Sequence, residues 1–332
     1  MKFQSKSNLS ARLSALACVM ACISPLSANA KTIDTEIASA TLYGKANFGY
    51  DSYKLQNEQR SDEITVTRNS NIGMYGSIEN NAPIDILFDM RAKYKGTGGF
   101  VMDRLLAMVV TDDWSFVIGR AESSYDNITR EFDKFDEQFT EDFQVGDLVR
   151  DQERITVGRV FGGKYYVAAD FAAGNSRANI GDLFAVSTRF DLVDGLEFAA
   201  AYEYDEKTNG SRELTVTKRY KAGLNSSFGL RDWEFGYIAS FDDYTHPDIE
   251  VLTNSVTSSY QYDDQWSVVL GLASKYEYSA EEPNLTIISR VAANYRYSEN
   301  LSGYFGFAHN NRNDGGRGNN DFMHTAGMTF SF

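Results

Sequence analysis

The sequence predicts an all-β fold: a closed antiparallel transmembrane β-barrel of about sixteen strands, with short periplasmic turns and longer extracellular loops. Three observations predict it: an export leader, apolar side chains at every second position, and a final strand that ends on phenylalanine. The mean hydropathy of −0.39 is too polar for a helical membrane protein. In a barrel wall only alternate residues face lipid, so periodicity rather than average hydropathy identifies the class.

Residues 1–30 have the features of a cleaved signal peptide. Three basic residues precede an apolar run, and Ala28-Asn29-Ala30 has the small-x-small form that a signal peptidase recognises. Cleavage after Ala30 leaves 31–332 as a single barrel domain. Two other interpretations stay open. In the first, the apolar run is a membrane anchor, although it is shorter than the roughly 20 residues that a spanning helix needs. In the second, Cys22 is a lipidation site.

The mature chain is expected to be acidic and free of cysteine. Both cysteines, Cys18 and Cys22, lie in the leader, so the cleaved chain has neither a thiol nor a disulfide. Cleavage also removes three of the 32 lysines and arginines and none of the 46 aspartates and glutamates, which leaves a formal charge of −17. This charge disfavours nucleic acid as a partner.

Apolar and polar residues alternate along the mature chain. In Ile84–Tyr94 the even positions are all apolar, whereas the odd positions carry Asp, Arg and Lys with a single Leu. One face of such a strand is apolar and the other is charged. A tilted strand needs roughly ten residues to cross the hydrocarbon layer. Segments of this kind begin near residues 41, 64, 84, 102, 114, 151, 164, 182, 196, 215, 232, 251, 266, 285, 301 and 322.

The alternation also has soluble explanations. A β-solenoid is disfavoured, because the chain has no repeat of fixed period. A β-sandwich alternates in the same way, with open solvent in place of a water-filled lumen, and the alternation alone leaves it open. The connections favour the barrel, because tight turns alternate with longer loops and aromatic residues crowd the strand ends.

The last strand, residues 323–332, carries Ala326, Met328, Phe330 and Phe332 on one face and polar or small residues on the other. This strand is similar to the C-terminal strand signal of Gram-negative outer-membrane proteins, in which a terminal phenylalanine helps the assembly machinery to recognise the chain. Phe330 and Phe332 are therefore the candidate assembly signal.

The order of short motifs resembles that of the sixteen-stranded trimeric general diffusion porins of Gram-negative outer membranes. The resemblance covers the mature chain and implies an outer-membrane homotrimer through which small hydrophilic solutes and ions diffuse passively, with no cofactor. The matching stretches are Leu42-Tyr43-Gly44-Lys45, Asn71-Ile72-Gly73-Met74-Tyr75-Gly76, Asp103-Arg104-Leu105, Ile118-Gly119-Arg120, Tyr295-Arg296-Tyr297-Ser298-Glu299-Asn300-Leu301-Ser302 and Gly327-Met328-Thr329-Phe330-Ser331-Phe332.

Residues 122–150 form the longest connection. The phenylalanines at 132, 135, 139 and 143 have spacings of 3, 4 and 4, which predict a helix over 131–143 with one apolar and one acidic face. In the porins that the chain resembles, the loop after the fifth strand folds into the lumen and narrows the pore. The resemblance implies that the phenylalanine face packs on the inner wall and that carboxylates lie beside the water path.

The connection holds nine acidic and three basic residues. Carboxylates in a confined passage concentrate cations, so we expect a mild cation preference. A solvated surface helix is the alternative. The loop-tip motif common in those porins is absent, so the individual acidic residues of the constriction are less well defined. The candidates are Asp126, Glu131, Asp133, Asp136 and Glu137.

The resemblance also implies a ladder of basic residues on the wall that faces this loop. Lys45, Arg104 and Arg154 match its first-, fourth- and sixth-strand members. Its second-strand member is replaced by Asn71, and Arg91 and Lys93, which face inward by alternation, are candidates to supply the missing charge. The alternative is local pairing with lumen carboxylates such as Asp85 and Asp89.

Arg120 shares its strand face with Trp114, Phe116 and Ile118, which places a guanidinium on the outward, apolar side. A bare arginine in lipid costs about 2–4 kcal/mol near mid-membrane. In the porins that the chain resembles this arginine contacts the neighbouring subunit, so Arg120 is the candidate trimer contact. The alternative is a strand-end position from which it reaches lipid headgroups.

No catalytic, metal or cofactor motif is evident. The chain has only three histidines, His246, His309 and His324, and no zinc, nucleotide or calcium pattern. Outer-membrane lipids, the assembly machinery and diffusing solutes are the expected partners. Two other functions stay open: a substrate-preferring channel for an oligosaccharide or one ion, with Tyr43, Tyr75 and Tyr166 as inward tyrosines, and a non-conducting structural or adhesin barrel.

Overall fold

A computed structural model describes most of the predicted barrel domain. It covers residues 31–35, 38–54, 61–65, 70–78, 84–95, 99–135, 139, 152–173, 180–208, 214–226, 232–245, 248–279, 283–314 and 317–332. The predicted leader, residues 1–30, lies outside these described residues, as do Asp136, Glu137, Phe143 and His246.

The described strands form one antiparallel sheet. In chain order they are β1 (Lys31–Asp34), β2 (Ala38–Lys54), β3 (Ser61–Thr65), β4 (Asn71–Ile78), β5 (Asp85–Lys95), β6 (Gly99–Val110), β7 (Trp114–Ala121), β8 (Gln152–Phe161), β9 (Tyr165–Ala173), β10 (Ile180–Val193), β11 (Leu196–Thr208), β12 (Leu214–Ser226), β13 (Trp233–Tyr244), β14 (Ile249–Gln261), β15 (Trp266–Ser279), β16 (Asn284–Arg296), β17 (Leu301–Asp314) and β18 (Arg317–Ser331).

The sheet closes on itself as a sixteen-stranded barrel, as predicted. Each strand from β4 to β17 pairs with the next, and β18 pairs back onto β2. Strand β3 pairs with the C-terminal part of β2 and β4 with its N-terminal part, so β3 and β4 together fill one position in the wall. Strand β1 pairs with the N-terminal part of β2, next to the end of β18, so β1 and β18 together fill another position in the wall. This closed ring excludes the β-sandwich.

Closure brings the C-terminus against the first long strand. The backbone N–H of Phe332 donates to the carbonyl of Gly44 at 3.0 Å, and the Gly44 N–H donates back at 2.9 Å. A Cβ at Gly44 would collide with the Phe332 ring, so the glycine makes room for the terminal side chain. The terminal phenylalanine is therefore part of the seam of the barrel.

The predicted alternation separates two faces of the wall. Large apolar side chains such as Ile118, Leu272 and Phe305 point outward and are 58%, 58% and 59% exposed. Aromatic pairs flank the tight turns, among them Trp233 with Tyr260 and Trp266 with Tyr295, whose ring centroids lie 4.8 and 4.7 Å apart. An outward apolar band with aromatic ends is typical of a wall that faces lipid.

Helical structure is sparse. The described residues contain one short α-helix, α1 (Ser124–Asn127), and one 3-10 helix (Arg130–Phe132), both in the connection after β7. Among the described residues, no helix has the length and apolar character needed to cross a membrane.

Candidate pore constriction

After β7 the chain turns into the barrel and follows the inner wall. Ser123 caps α1 by accepting a hydrogen bond from the Asp126 N–H at 3.0 Å. Helix α1 lies beside β9, β10 and β11, and the 3-10 helix lies beside β12 and β13. Phe139 then packs with Ala308 on β17 and Met323 on β18. We call residues 122–139 the inner loop; within it, residues 136–138 are outside the described part of the chain.

The helix predicted over 131–143 is wrong for its described start. The chain leaves the 3-10 helix at Phe132, and Asp133 is extended, with φ −80° and ψ 112°. Phe132, Phe135 and Phe139 are nevertheless buried on the wall, with exposures of 0%, 8% and 1%. Their spacing therefore needs an explanation other than a helical turn.

The explanation is the distance between strands. An extended chain advances about 3.3 Å per residue, and neighbouring strands lie about 4.8 Å apart, so three residues span about two strands. The Phe132 ring lies on Gly223 of β12 and its backbone carbonyl on Gly236 of β13, whereas the rings of Phe135 and Phe139 lie on Gly271 of β15 and Gly306 of β17. The three rings thus advance across the wall in steps of two to three strands.

These contacts follow a line that runs perpendicular to the strands. We call it the docking row; its members are successive backbone partners across β13 to β18: Gly236, Thr257, Gly271, Arg290, Ala308 and Met323. The Thr257 hydroxyl donates to the Phe132 carbonyl at 2.8 Å. A Cβ at Gly236 would collide with the same carbonyl oxygen, so only glycine allows this approach. The docking row therefore fits the loop by shape.

The charged residues of segment 131–134 pair with the wall beneath them. Glu131 contacts Arg189 at 2.7 Å, Asp133 contacts Arg290 at 3.4 Å, and Lys134 contacts Glu234 at 3.0 Å. The Glu131 side chain is 69% exposed. Glu131 and Asp133 thus lie at the surface of the inner loop, with their charges largely balanced by local bases.

The predicted basic wall is partly assembled. Arg91 and Arg104 are backbone partners on β5 and β6, and a bulge after this pair lets Asp103 reach Arg91 at 2.7 Å. Arg104 pairs with Asp89 at 3.1 Å. Glu122 lies 3.8 Å from both arginines and 2.8 Å from Arg130. The local pairing considered above is thus present, and Glu122 is a member that the predicted site did not include.

Lys45 and Lys93 occupy the same inner wall. Asn71 is the backbone partner of both residues, so the three side chains lie in a row across β2, β4 and β5. Below them, Tyr43 donates to Asp89 at 2.8 Å and its ring centroid lies 5.7 Å from that of Tyr75, which is half exposed. Glu122 at the start of the inner loop reaches this wall at Arg91 of β5 and Arg104 of β6.

Two predicted lining residues are in fact buried. The Arg154 side chain is 1% exposed and contacts Asp170 at 3.2 Å. The Asp126 side chain is 3% exposed and lies 3.9 Å from Arg219. Alternation correctly points Arg154 inward, but the first turn of the inner loop covers it and turns Asp126 toward the wall. Arg154 and Asp126 therefore hold the loop and do not line water. Asp136 and Glu137 lie outside the described residues.

The cluster under α1 was missed by sequence reasoning. We call it the charged row; its members are successive backbone partners across β9 to β13: Asp170, Ala185, Glu203, Arg219 and Asp242. Arg219 is fully buried and contacts Glu203 at 2.8 Å. The only signal in the sequence is that Arg219 and Glu203 both have inward parity; their pairing depends on the strand register.

Tyr125 of α1 covers this row. The Arg219 guanidinium lies 4.4 Å from the centre of the Tyr125 ring, and the Lys221 ammonium lies 4.2 Å from it. Burial among Asp242 and other carboxylates raises the pKa of the Tyr125 hydroxyl above its ordinary value. Tyr125 therefore stays neutral at any physiological pH, and its ring shields Arg219 and Lys221 from water.

Arg120 lies on the outward face, as its parity predicts, and is exposed. Its backbone partner on β8 is Glu153, also outward and exposed. The two strands thus present one positive and one negative side chain next to each other on a face that otherwise carries Ile118 and Ile155. His309 and His324 also point outward, against Phe322 and Phe307.

Comparison with solved structures identifies the fold. An anion-selective porin from Comamonas acidovorans matches with a TM-score of 0.75 and 13% identity over 89% of this chain and 100% of that one. The outer-membrane channel DcaP of Acinetobacter baumannii gives 0.74 and 10% over 92% and 100%, and Salmonella typhi OmpF gives 0.68 and 14% over 91% and 100%. No protein-family model and no curated protein sequence matches the chain. At these identities the comparison establishes the porin barrel fold.

Proposed function

We propose that the protein is an outer-membrane porin through which small hydrophilic solutes and ions diffuse passively. The observation that carries the proposal is the combination of three features in one ring: an apolar outward wall, a charged inward wall, and a chain segment that follows the inner wall for half the circumference. Flux through such a channel follows the concentration gradient, and no catalytic step is involved. Cleavage of residues 1–30 and recognition of Phe330 and Phe332 would deliver it to that membrane.

We place the constriction between the inner loop and the wall of β2, β4, β5 and β6. The loop covers the wall from β9 to β18, which leaves Lys45, Lys93, Arg91 and Arg104 facing the remaining passage. Planar-bilayer recording tests the proposal. Stepwise conductance increases on addition of purified protein support it, and the absence of any conductance would support a structural barrel instead.

We further propose a mild cation preference. The described part of the inner loop carries four acidic residues and two basic ones, and the stretch up to residue 150 adds five more acids and one base. The Comamonas porin with the same fold is described as anion-selective, so the fold does not set the sign of the preference. Reversal potentials in a salt gradient give the sign. Neutralising Asp133, Asp136 and Glu137 together should move the potential toward anions.

A substrate-preferring channel is the second candidate. Its support is the pair Tyr43 and Tyr75, which lies on the open inner wall next to Asp89 and offers a ring face with polar groups beside it. Sugars stack on aromatic faces through their apolar C–H surfaces while their hydroxyls bind carboxylates. A concentration-dependent block of the current by an oligosaccharide would support this candidate, and loss of the block in Tyr75→Ala would locate the site.

A homotrimer is also proposed. Its support is Arg120 beside Glu153 on the apolar outward face, because a charged pair at this position is better covered by protein than by lipid. Conductance in steps of three, and a change to single steps in a double variant Arg120→Leu and Glu153→Leu, would support it.

A further inference from the structure

The fully buried arginine Arg219 is surrounded by more carboxylates than bases. Glu203 of β11, Asp242 of β13 and Asp126 of α1 lie 2.8, 3.5 and 3.9 Å from its guanidinium. All three side chains are at most 5% exposed. The Tyr125 ring closes the remaining side. The cluster joins the inner loop to two wall strands through a single cation.

The other charged groups that face the cluster do not balance it. Lys221 of β12 adds one positive charge, with its ammonium 3.4 Å from the Tyr125 carbonyl. Arg154 of β8 and Asp170 of β9 pair with each other, and Asp205 of β11 adds a further buried carboxylate. Among the described groups named here, five carboxylates thus face three bases. One oxygen of Asp126, Oδ2, is buried without a hydrogen bond from the described residues.

A site this dry does not hold an unbalanced negative charge. Burying an ionised carboxylate without a partner is so costly that the group binds a proton instead. A proton bound by one of the strand carboxylates lowers this excess charge. The need for this proton exists only while α1 covers the cluster, because water would solvate the carboxylates after it lifts.

We propose that Arg219 is a positioning residue of the inner loop, and that residues 123–128 pack on the charged row with one proton bound by the strand carboxylates Glu203 and Asp242. When the segment lifts, the carboxylates enter water, where their ordinary pKa is about 4, and the proton is released. The lifted form therefore binds fewer protons than the seated form. Rising pH favours lifting, and acid favours seating.

Hydrogen–deuterium exchange of residues 123–128 in detergent-solubilised protein tests this directly. After correction for the intrinsic rate, opening in the wild type should increase with pH by up to about tenfold per pH unit, the limit for release of one proton. Glu203→Gln, which removes the need for the proton, should flatten the dependence. Glu277→Gln is the control, because Glu277 is an inward carboxylate of β15 that is 37% exposed and lies beside Lys275. It should behave as the wild type.

The proposal would be overturned if opening of residues 123–128 did not depend on pH in the wild type, or if it depended on pH equally in Glu203→Gln and the wild type. Arg219→Lys provides a second test if Glu203→Gln fails to fold. It keeps the positive charge, so it should retain the slope with faster opening, whereas Arg219→Met should open at every pH. The same slope in Arg219→Met as in the wild type would also overturn it.

The inference rests on the proposed function only in taking residues 123–128 as part of the constriction. The two can fail separately. Exchange that depends on pH in a protein that forms no channel would leave this inference standing and refute the porin. Channel formation by a protein whose hydrogen exchange does not depend on pH would support the porin and refute this inference.

Discussion

The inner loop is held to the wall in two different ways along its length. Its first part, residues 123–128, covers the charged row, where Arg219 and three carboxylates are buried almost completely. Its second part, residues 131–139, follows the docking row, where phenylalanine rings pack on the wall, Glu131 is mostly exposed, and the buried Arg290 pairs with Asp133. Buried charge dominates the first part and is favourable only when every charge is balanced, whereas packing of buried rings dominates the second part, with the buried Arg290 pairing with Asp133.

The largest effect should come from breaking the charged row. Arg219→Met leaves three buried carboxylates without their main partner, a change that typically costs about 3–5 kcal/mol. We expect residues 123–128 to lose exchange protection and the thermal unfolding midpoint to fall. Lys275→Met is the matched control, since Lys275 is an inward base that is 49% exposed. Equal shifts of the midpoint in both variants would contradict the central role of Arg219.

A similar loss is expected when the inner loop loses a buried ring. Phe132→Ala removes a fully buried aromatic side chain, which costs about 3–5 kcal/mol when the space cannot collapse. Because the Phe132 ring packs in one cluster with Tyr125 and Ile128, exchange protection should fall in both parts of the loop, and the conductance should rise. Phe305→Ala removes the same ring from the outward face, where it is 59% exposed, and should leave the conductance unchanged.

A smaller effect is expected from adding a methyl group to the docking row. A Cβ at Gly236 meets the backbone of Phe132, which cannot move aside as a side chain can, and overpacking of this kind costs about 1–3 kcal/mol. Gly236→Ala should raise conductance noise without unfolding the barrel. Gly99→Ala is the control, because no described atom lies within 4 Å of the position that its methyl group would take. A quiet channel in Gly236→Ala would mean that the loop does not lie on this glycine.

The smallest effect should follow loss of an exposed charge. Glu131 pairs with Arg189 but is 69% exposed, and such pairs contribute about 0–1 kcal/mol, less at high salt. Glu131→Gln should therefore leave loop protection nearly unchanged and move only the reversal potential, toward anions. Loss of protection across 131–135 would show that exposed pairs, rather than packing, hold the second part.

The sequence predicted the wall well because alternation is a local property. Ile86, Phe88 and Met90 can be assigned to one face without knowing what pairs with them. The loop was harder. A spacing of 3 and 4 between phenylalanines fits a helical turn and also fits steps across a sheet, and only the positions of Gly236, Gly271 and Gly306 on separate strands distinguish the two.

Burial inside the lumen could not be predicted in the same way. Parity places both Arg154 and Arg91 inward. Arg154, however, lies under α1, whereas Arg91 lies beside the open passage. The difference depends on which strands the loop covers. The charged row has the same origin, because Glu203, Arg219 and Asp242 come together through strand register and not through sequence spacing.

The most direct test of the account is the size limit for solute entry into proteoliposomes, measured by swelling in sugars of increasing size. We predict that the wild type admits small sugars and excludes larger ones, and that a double variant Phe132→Ala and Phe139→Ala admits larger sugars than the wild type. A wild type that admits no sugar, or a double variant with an unchanged limit, would contradict a water-filled channel narrowed by the inner loop.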